Sequence, residues 1–362
     1  MTDAEDVDQP GVPPEPVVPT RSARRADEAA ARRRRRRLRL ARAMFVGSLV
    51  VAVAMATVLV VLHPWARDSS HRADAAPTVS AAPVDPGPAL FTDPDTAGAV
   101  LMAASVGVAA VDSYDFAQLD QSLTDGMAVS TGDFLTKYRA SMEGVVRSSA
   151  VAGKVIQTCT VLAVGLRSIA PDRSQADLLV FGTVSVTQAQ GTTRSAPQTS
   201  PVSLQVRMTR ANATWLISAM VDVSSTQLPA LAPPGGTALN QATTAGVREV
   251  VNLLSYRRSD FDGDFQRALN GLTTDLAQQQ QASKGSIQNV MTNGGFDLVG
   301  TVGAAAVSAA GDDSVTLIVL SHSTRVDDRG MATMISSTRY QVALTRTGGK
   351  WLVSQFTALD QS

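Results

Sequence analysis

The chain repeats itself, and a repeat limits the architecture more sharply than any single motif can. QVRMTRANATWLIS, Gln205 to Ser218, returns as QVALTRTGGKWLVS, Gln341 to Ser354, at a constant offset of 136. An earlier stretch aligns at an offset of 142: Ser113 and Tyr114 match Ser255 and Tyr256, Leu119 matches Phe261, Leu123 matches Phe265, and Thr131 matches Thr273. The difference between the offsets is a deletion of six residues within the second copy, of the kind a loop absorbs. A chain of 362 residues has room for two such units plus linkers.

Within each copy the apolar period changes from helical to extended. In the first, Ala97 to Val111 is Ala/Val/Met-rich at helical spacing, Phe116, Leu119, Leu123 and Met127 share a helix face, and Thr131 caps a third helix. From Lys154 onward, VIQTCTVLAVGLRSI, ADLLVFGTVSVTQ, PVSLQVRMTR and WLISAMVDV read as strands. The expected fold is α+β, three helices on one face of a curved, four-stranded antiparallel sheet, written twice. In the repeated stretch Leu204, Val206 and Met208 point inward and Gln205, Arg207 and Thr209 outward, with a turn before Trp215 or Trp351. Those two tryptophans are the expected large core anchors of the two sheets. Intramolecular pairing of the two units is one way to use the repeat.

A net charge of zero conceals an uneven distribution. Residues 1–62 carry 11 Arg against 7 Asp+Glu, and residues 63–362 carry 21 Lys+Arg against 25 Asp+Glu. Arg32, Arg33, Arg34, Arg35, Arg36 and Arg37 run unbroken, followed by Arg39 and Arg42. Directly after them Met44 to Leu62 is uncharged, 19 residues that rise about 28 Å as a helix and match a bilayer core. Arginines on the cytoplasmic side place the N-terminus inside and everything after Leu62 outside. Pro64 ends the span and Trp65 suits the headgroup level as an anchor. The arginine run is read as a topology signal and membrane-lipid contact, not as a nucleic-acid site, and the span as uncleaved, since it exceeds a signal-peptide core. The expected order is a disordered basic tail (1–43), a transmembrane helix (44–62), a linker (63–94), unit one (95–226), a Pro/Gly linker (227–240) and unit two (241–360).

Chemistry is sparse. The lone Cys159 sits in a strand pattern, and His322 is the one histidine inside a foldable segment. Asp260, Asp262 and Asp264 in SDFDGDF resemble a calcium loop, but its glycine and twelfth-position glutamate are missing, and Phe261, Phe265 and Leu269 make an amphipathic helix of it. Asp177 and Asp297 fall at strand starts, away from the inward positions a buried acid needs. Asn212-Ala213-Thr214 fits a glycosylation sequon but reads as turn chemistry. No catalytic, cofactor or metal residues are expected, and the chain is read as non-enzymatic.

The arginine-rich tail and single span, Ser-Tyr, Thr-Gly-Asp-Phe (Thr131 to Phe134) and a closing Trp-Leu-Ile/Val-Ser together resemble the Mce-associated membrane proteins of actinobacteria. The resemblance runs from about residue 32 to the end and departs from that family in placing two units on one anchor. It implies NTF2-like extracytoplasmic units and an accessory role in the cell envelope, docking on or stabilising Mce lipid-import subunits or other envelope proteins. Two other roles fit such an anchor and fold: an assembly subunit of a secretion channel, and a cone that binds lipid or another apolar ligand.

Overall fold

Helices form where apolar residues recur every three or four positions and end where the backbone turns left-handed or the period changes. The structure, a computed structural model, describes residues 94–190, 193–224, 226–228 and 236–359. The first half comprises α1 (Pro94–Val111), β1 (Tyr114–Asp115), α2 (Leu119–Ala128), α3 (Gly132–Ser141), a π-helical turn (Met142–Val146) and α4 (Arg147–Gly153). Strands β2 (Val155–Ile169), β3 (Gln175–Gln190), β4 (Thr193–Arg194), β5 (Gln198–Ala211) and β6 (Thr214–Asp222) follow. The second half runs α5 (Thr237–Leu254), a 3-10 turn (Arg258–Asp260), α6 (Phe261–Leu269) and α7 (Thr274–Gly294). It closes with β7 (Phe296–Ala310), β8 (Ser314–Asp327), β9 (Ala332–Thr347) and β10 (Lys350–Ala358). Helices packed on an antiparallel sheet, as the sequence predicts, therefore make up the fold, and in each half helices precede the long strands; the first half has four helices where three are expected, and the short strands β1 and β4 have no counterpart in the second. The expected span Met44–Leu62, its arginines and Trp65 lie outside the described residues, among which no helix is long and apolar enough to cross a membrane.

The repetition extends to single hydrogen bonds. Thr131 N donates to Ile217 O at 2.9 Å, and Thr273 N donates to Val353 O at 2.9 Å. Ile217 N donates to Val129 O at 2.8 Å, and Val353 N to Gly271 O at 2.9 Å. Both closing hairpins turn through two left-handed residues, Asn212 (φ 47°) and Ala213 (φ 69°) in one, Gly348 (φ 56°) and Gly349 (φ 80°) in the other. The right-handed twist of the strands favours such a turn, and glycine enters it without the steric cost Ala213 meets.

The two sheets are joined. Strand order is β10-β9-β8-β7-β2-β3-β5-β6, with β2 and β7 meeting antiparallel at Leu166 and Val307. Beside this edge the sheets also bury their helix-free faces. Leu179 and Phe181 of β3 cluster with Ala304, Ala306, Ile318 and Leu320 of β7 and β8, closed by Val223. Leu178 and Val180, and Leu317 and Val319, alternate with them and are equally buried, so β3 and β8 are covered on both faces over these positions.

Arg339 of β9 crosses this seam. It is 3% exposed, and its Nη1 donates to Gly182 O and to Val202 O (3.0 Å), carbonyls of β3 and β5 in the other half. At the joint itself, a Cβ added to Gly165 would lie 2.7 Å from Ala306 Cβ, 2.9 Å from Ile318 Cγ1 and 3.1 Å from a backbone carbon. Backbone cannot give way as a side-chain tip can. Gly165→Ala is expected to cost about 2 kcal/mol by overpacking, read as a lowered urea midpoint with an unchanged slope.

Candidate functional site

The place where the halves differ most in chemistry is a cleft in the second. The apolar face of α5 carries Leu239, Ala242, Val250 and Leu253 into the core, with Gly246 between them where Leu317 and Leu344 press close. Glu249 interrupts this face at 3% exposure. Its Oε2 accepts from Asn252 Nδ2 at 3.1 Å, whereas Oε1 has no hydrogen-bond partner among the described residues. Burial pushes its carboxyl up to about 7, against smaller opposing effects from the Asn252 hydrogen bond and the Arg248 charge. Gly271 leaves room for that carboxylate: a Cβ there would collide with Glu249 Oε2.

Gly271 is also a wall of an open cleft of about 490 Å³ between α5, the α6–α7 turn and the β9–β10 turn. Arg248 and Lys350 supply its positive charge, Gln241 and Asn270 its amides, and Trp351 its buried floor. Trp351 Nε1 is buried with no acceptor among the described residues. A second hollow of about 410 Å³ shares Gln241, Ala245 and Arg248 and continues along α5 past Thr244 and Asn240 to Thr237. At the repeat offsets of 142 and 136, Gln241, Arg248, Asn270, Gly271 and Lys350 correspond to Ala99, Val106, Ala128, Val129 and Thr214. Four of these five positions are therefore apolar in the first half, Val106 being 59% exposed, and Met102, which matches Thr244, is 71% exposed beside them.

The first half has its own polar interior. Asp112 is buried, Gln157 Nε2 donates to its carbonyl at 2.8 Å, and Cys159 N donates to Ser113 Oγ at 2.9 Å. Burial, then the charge and hydrogen bond of Asp112, push the Cys159 thiol up to about 12, so it stays protonated and a weak nucleophile.

Other residues singled out in the sequence are placed as follows. Trp215 and Trp351 are both buried, the latter lining the cleft. Asp264, in the calcium-like stretch, is buried and accepts from Arg257 N at 2.7 Å and from the Arg257 and Arg267 guanidiniums, and the Arg257 hydrogen bond holds its carboxyl below the usual range. Asp262 pairs with Lys284 at 2.6 Å, so the three carboxylates do not converge. Asp177 pairs with Arg207 at 2.9 Å and Asp297 with Arg258 at 3.2 Å. His322 is buried over Gly303, and burial lowers its basicity. Among the described residues no group of three His, Cys, Asp or Glu gathers as a metal site would. Sequence reasoning looked for buried acids on strands and missed Glu249 and Asp112, which belong to a helix and a helix end. An acid amid Ala242, Gly246, Val250 and Leu253 was the available signal for Glu249.

No protein-family model matches the chain, and no curated protein matches it. Solved structures do. An Ntf2-like protein involved in plasmid conjugation is 8% identical, with 73% of this chain and 96% of that one covered and a TM-score of 0.26. CagV of Helicobacter pylori, a VirB8 homologue of a type IV secretion system, is 15% identical over 34% of this chain and 96% of its own, with a TM-score of 0.29. Aln2 from a Streptomyces species is 13% identical over 34% and 91%, with a TM-score of 0.29. These are distant likenesses.

Proposed function

We propose that this chain is a membrane-anchored, non-enzymatic assembly subunit: two NTF2-like units held at fixed spacing outside the membrane, docking other proteins of an envelope-spanning secretion or conjugation channel. The observation that carries the reading is the seam. Buried Phe181, Ile318 and the Arg339 hydrogen bonds fix one half against the other, while the outer faces at matching positions are apolar in one half and charged in the other. A rigid body with two unlike faces suits bridging two unlike partners. The buried acids do not suit catalysis: Glu249 and Asp112 are single, in different halves, and each carboxylate accepts from a neighbouring amide, Asn252 and Gln157. The span Met44–Leu62 and its flanking arginines supply the anchor and the orientation.

A second reading, docking on a Mce-type lipid-import complex, is favoured by the Ser-Tyr, Thr-Gly-Asp-Phe and Trp-Leu-Ile/Val-Ser motifs. Crosslinking in intact cells followed by purification of the tagged full chain from membranes separates the two. Channel or coupling subunits are expected to co-purify; Mce or permease subunits in their place would select the second reading, and neither would overturn both.

A further inference from the structure

A repeated unit shows what its fold needs in the positions that agree and what its function needs in those that do not. The cleft positions Gln241, Arg248, Asn270 and Lys350 are Ala99, Val106, Ala128 and Thr214 in the other half, where the same elements form without them. The fold does not require a charged cleft. At its floor Trp351 Nε1 is also buried without a partner among the described residues.

We propose that this cleft receives the free C-terminal carboxylate of an extended segment of a partner protein, with the carboxylate between Arg248 and Lys350 and the peptide running along α5 toward Thr237. The inference rests on the assembly reading and gives it a contact. Charge selects an anion, because Arg248 and Lys350 are the charged side chains at the cleft surface. Length selects a peptide. From Thr237 to Arg248 the helix rises about 17 Å, the reach of roughly five extended residues. Thr237, Asn240, Gln241 and Thr244 offer hydroxyls and amides to a backbone along that distance. Capture of a terminal carboxylate by a small set of donors is an established way to recognise a chain end.

The test uses the detergent-solubilised full chain and a pool of random pentapeptides with free C-termini, compared with the same pool C-terminally amidated, bound peptide being counted by mass spectrometry. The free-acid pool is expected to be retained about tenfold over the amidated pool, and R248A/K350A to lose that preference while keeping its circular dichroism spectrum. Gly271→Ala, which crowds the wall from inside without touching either charge, is expected to weaken retention as well. Equal retention of the two pools, retention of neither, or an unchanged preference in R248A/K350A would overturn the site. Such a failure leaves co-purification of envelope subunits as it was, so the two proposals fail separately.

Discussion

Replacing Arg339 by methionine is expected to destabilise the protein by about 3 kcal/mol, lowering its melting temperature by roughly 6–10 °C. Methionine keeps most of the aliphatic stem, so the loss isolates the guanidinium. That group, 3% exposed, donates to Gly182 O and Val202 O, and both carbonyls belong to the opposite half. Without it they are left buried and short of a donor, and the cost of an unmet buried acceptor exceeds the net worth of the bond that met it. The expected sign of the lost coupling is a split transition, the halves melting at separate temperatures where the wild type melts once. Arg339→Lys should fall between the two, since its ammonium has donors enough for both carbonyls but ends a shorter side chain than the one that carries Nη1 to them. A methionine variant within about 0.5 kcal/mol of wild type, melting in a single transition, would show that the apolar seam alone holds the halves together.

Arg339 also shows why the joint between the halves was hard to foresee. Its counterpart at the repeat offset is Ser203, itself buried, and a lone arginine at a strand position reads as a solvent-facing residue until the opposing carbonyls are known. The order of helices and strands was legible because the apolar period changes within each copy, and the closing hairpin because alternation and a turn are local properties. The second buried face of the sheet was not local, yet it left a trace. Leu178-Leu179-Val180-Phe181 and Leu317-Ile318-Val319-Leu320 do not alternate, and an unbroken apolar run in a strand signals burial on both faces. The cleft was legible only by subtraction. No motif marks Arg248, Asn270 or Lys350; their interest comes from Val106, Ala128 and Thr214 holding the matching places. Glu249 is the same kind of signal, an acid where Gly107 stands in the first copy.

Glu249 makes the stability of this protein depend on pH in a way that most carboxylates do not. Burial raises its carboxyl from an ordinary 4.5 to about 7, so between those values the folded chain holds a proton that the unfolded chain has released. Stability from this group is complete below about pH 4.5 and is lost as pH rises through 7, and a shift of that size corresponds to about 3 kcal/mol. Other groups act in the opposite sense. The Arg257 hydrogen bond depresses Asp264, whose contribution is lost in acid, and burial depresses His322, whose contribution is lost as pH falls through the ordinary histidine range. The His322 window overlaps that of Glu249, so the wild-type curve alone would blur the two. The difference between wild type and Glu249→Gln removes the histidine from both sides. Glutamine stays neutral and can still accept from Asn252, as Oε2 does at 3.1 Å. In urea unfolding across pH 4 to 8.5, the variant is expected to match wild type near pH 4.5 and to exceed it by about 3 kcal/mol at pH 8. A difference that stays constant with pH would mean that Glu249 titrates in the folded chain as it does in the unfolded one, and that water or a partner reaches the carboxyl behind Gly271.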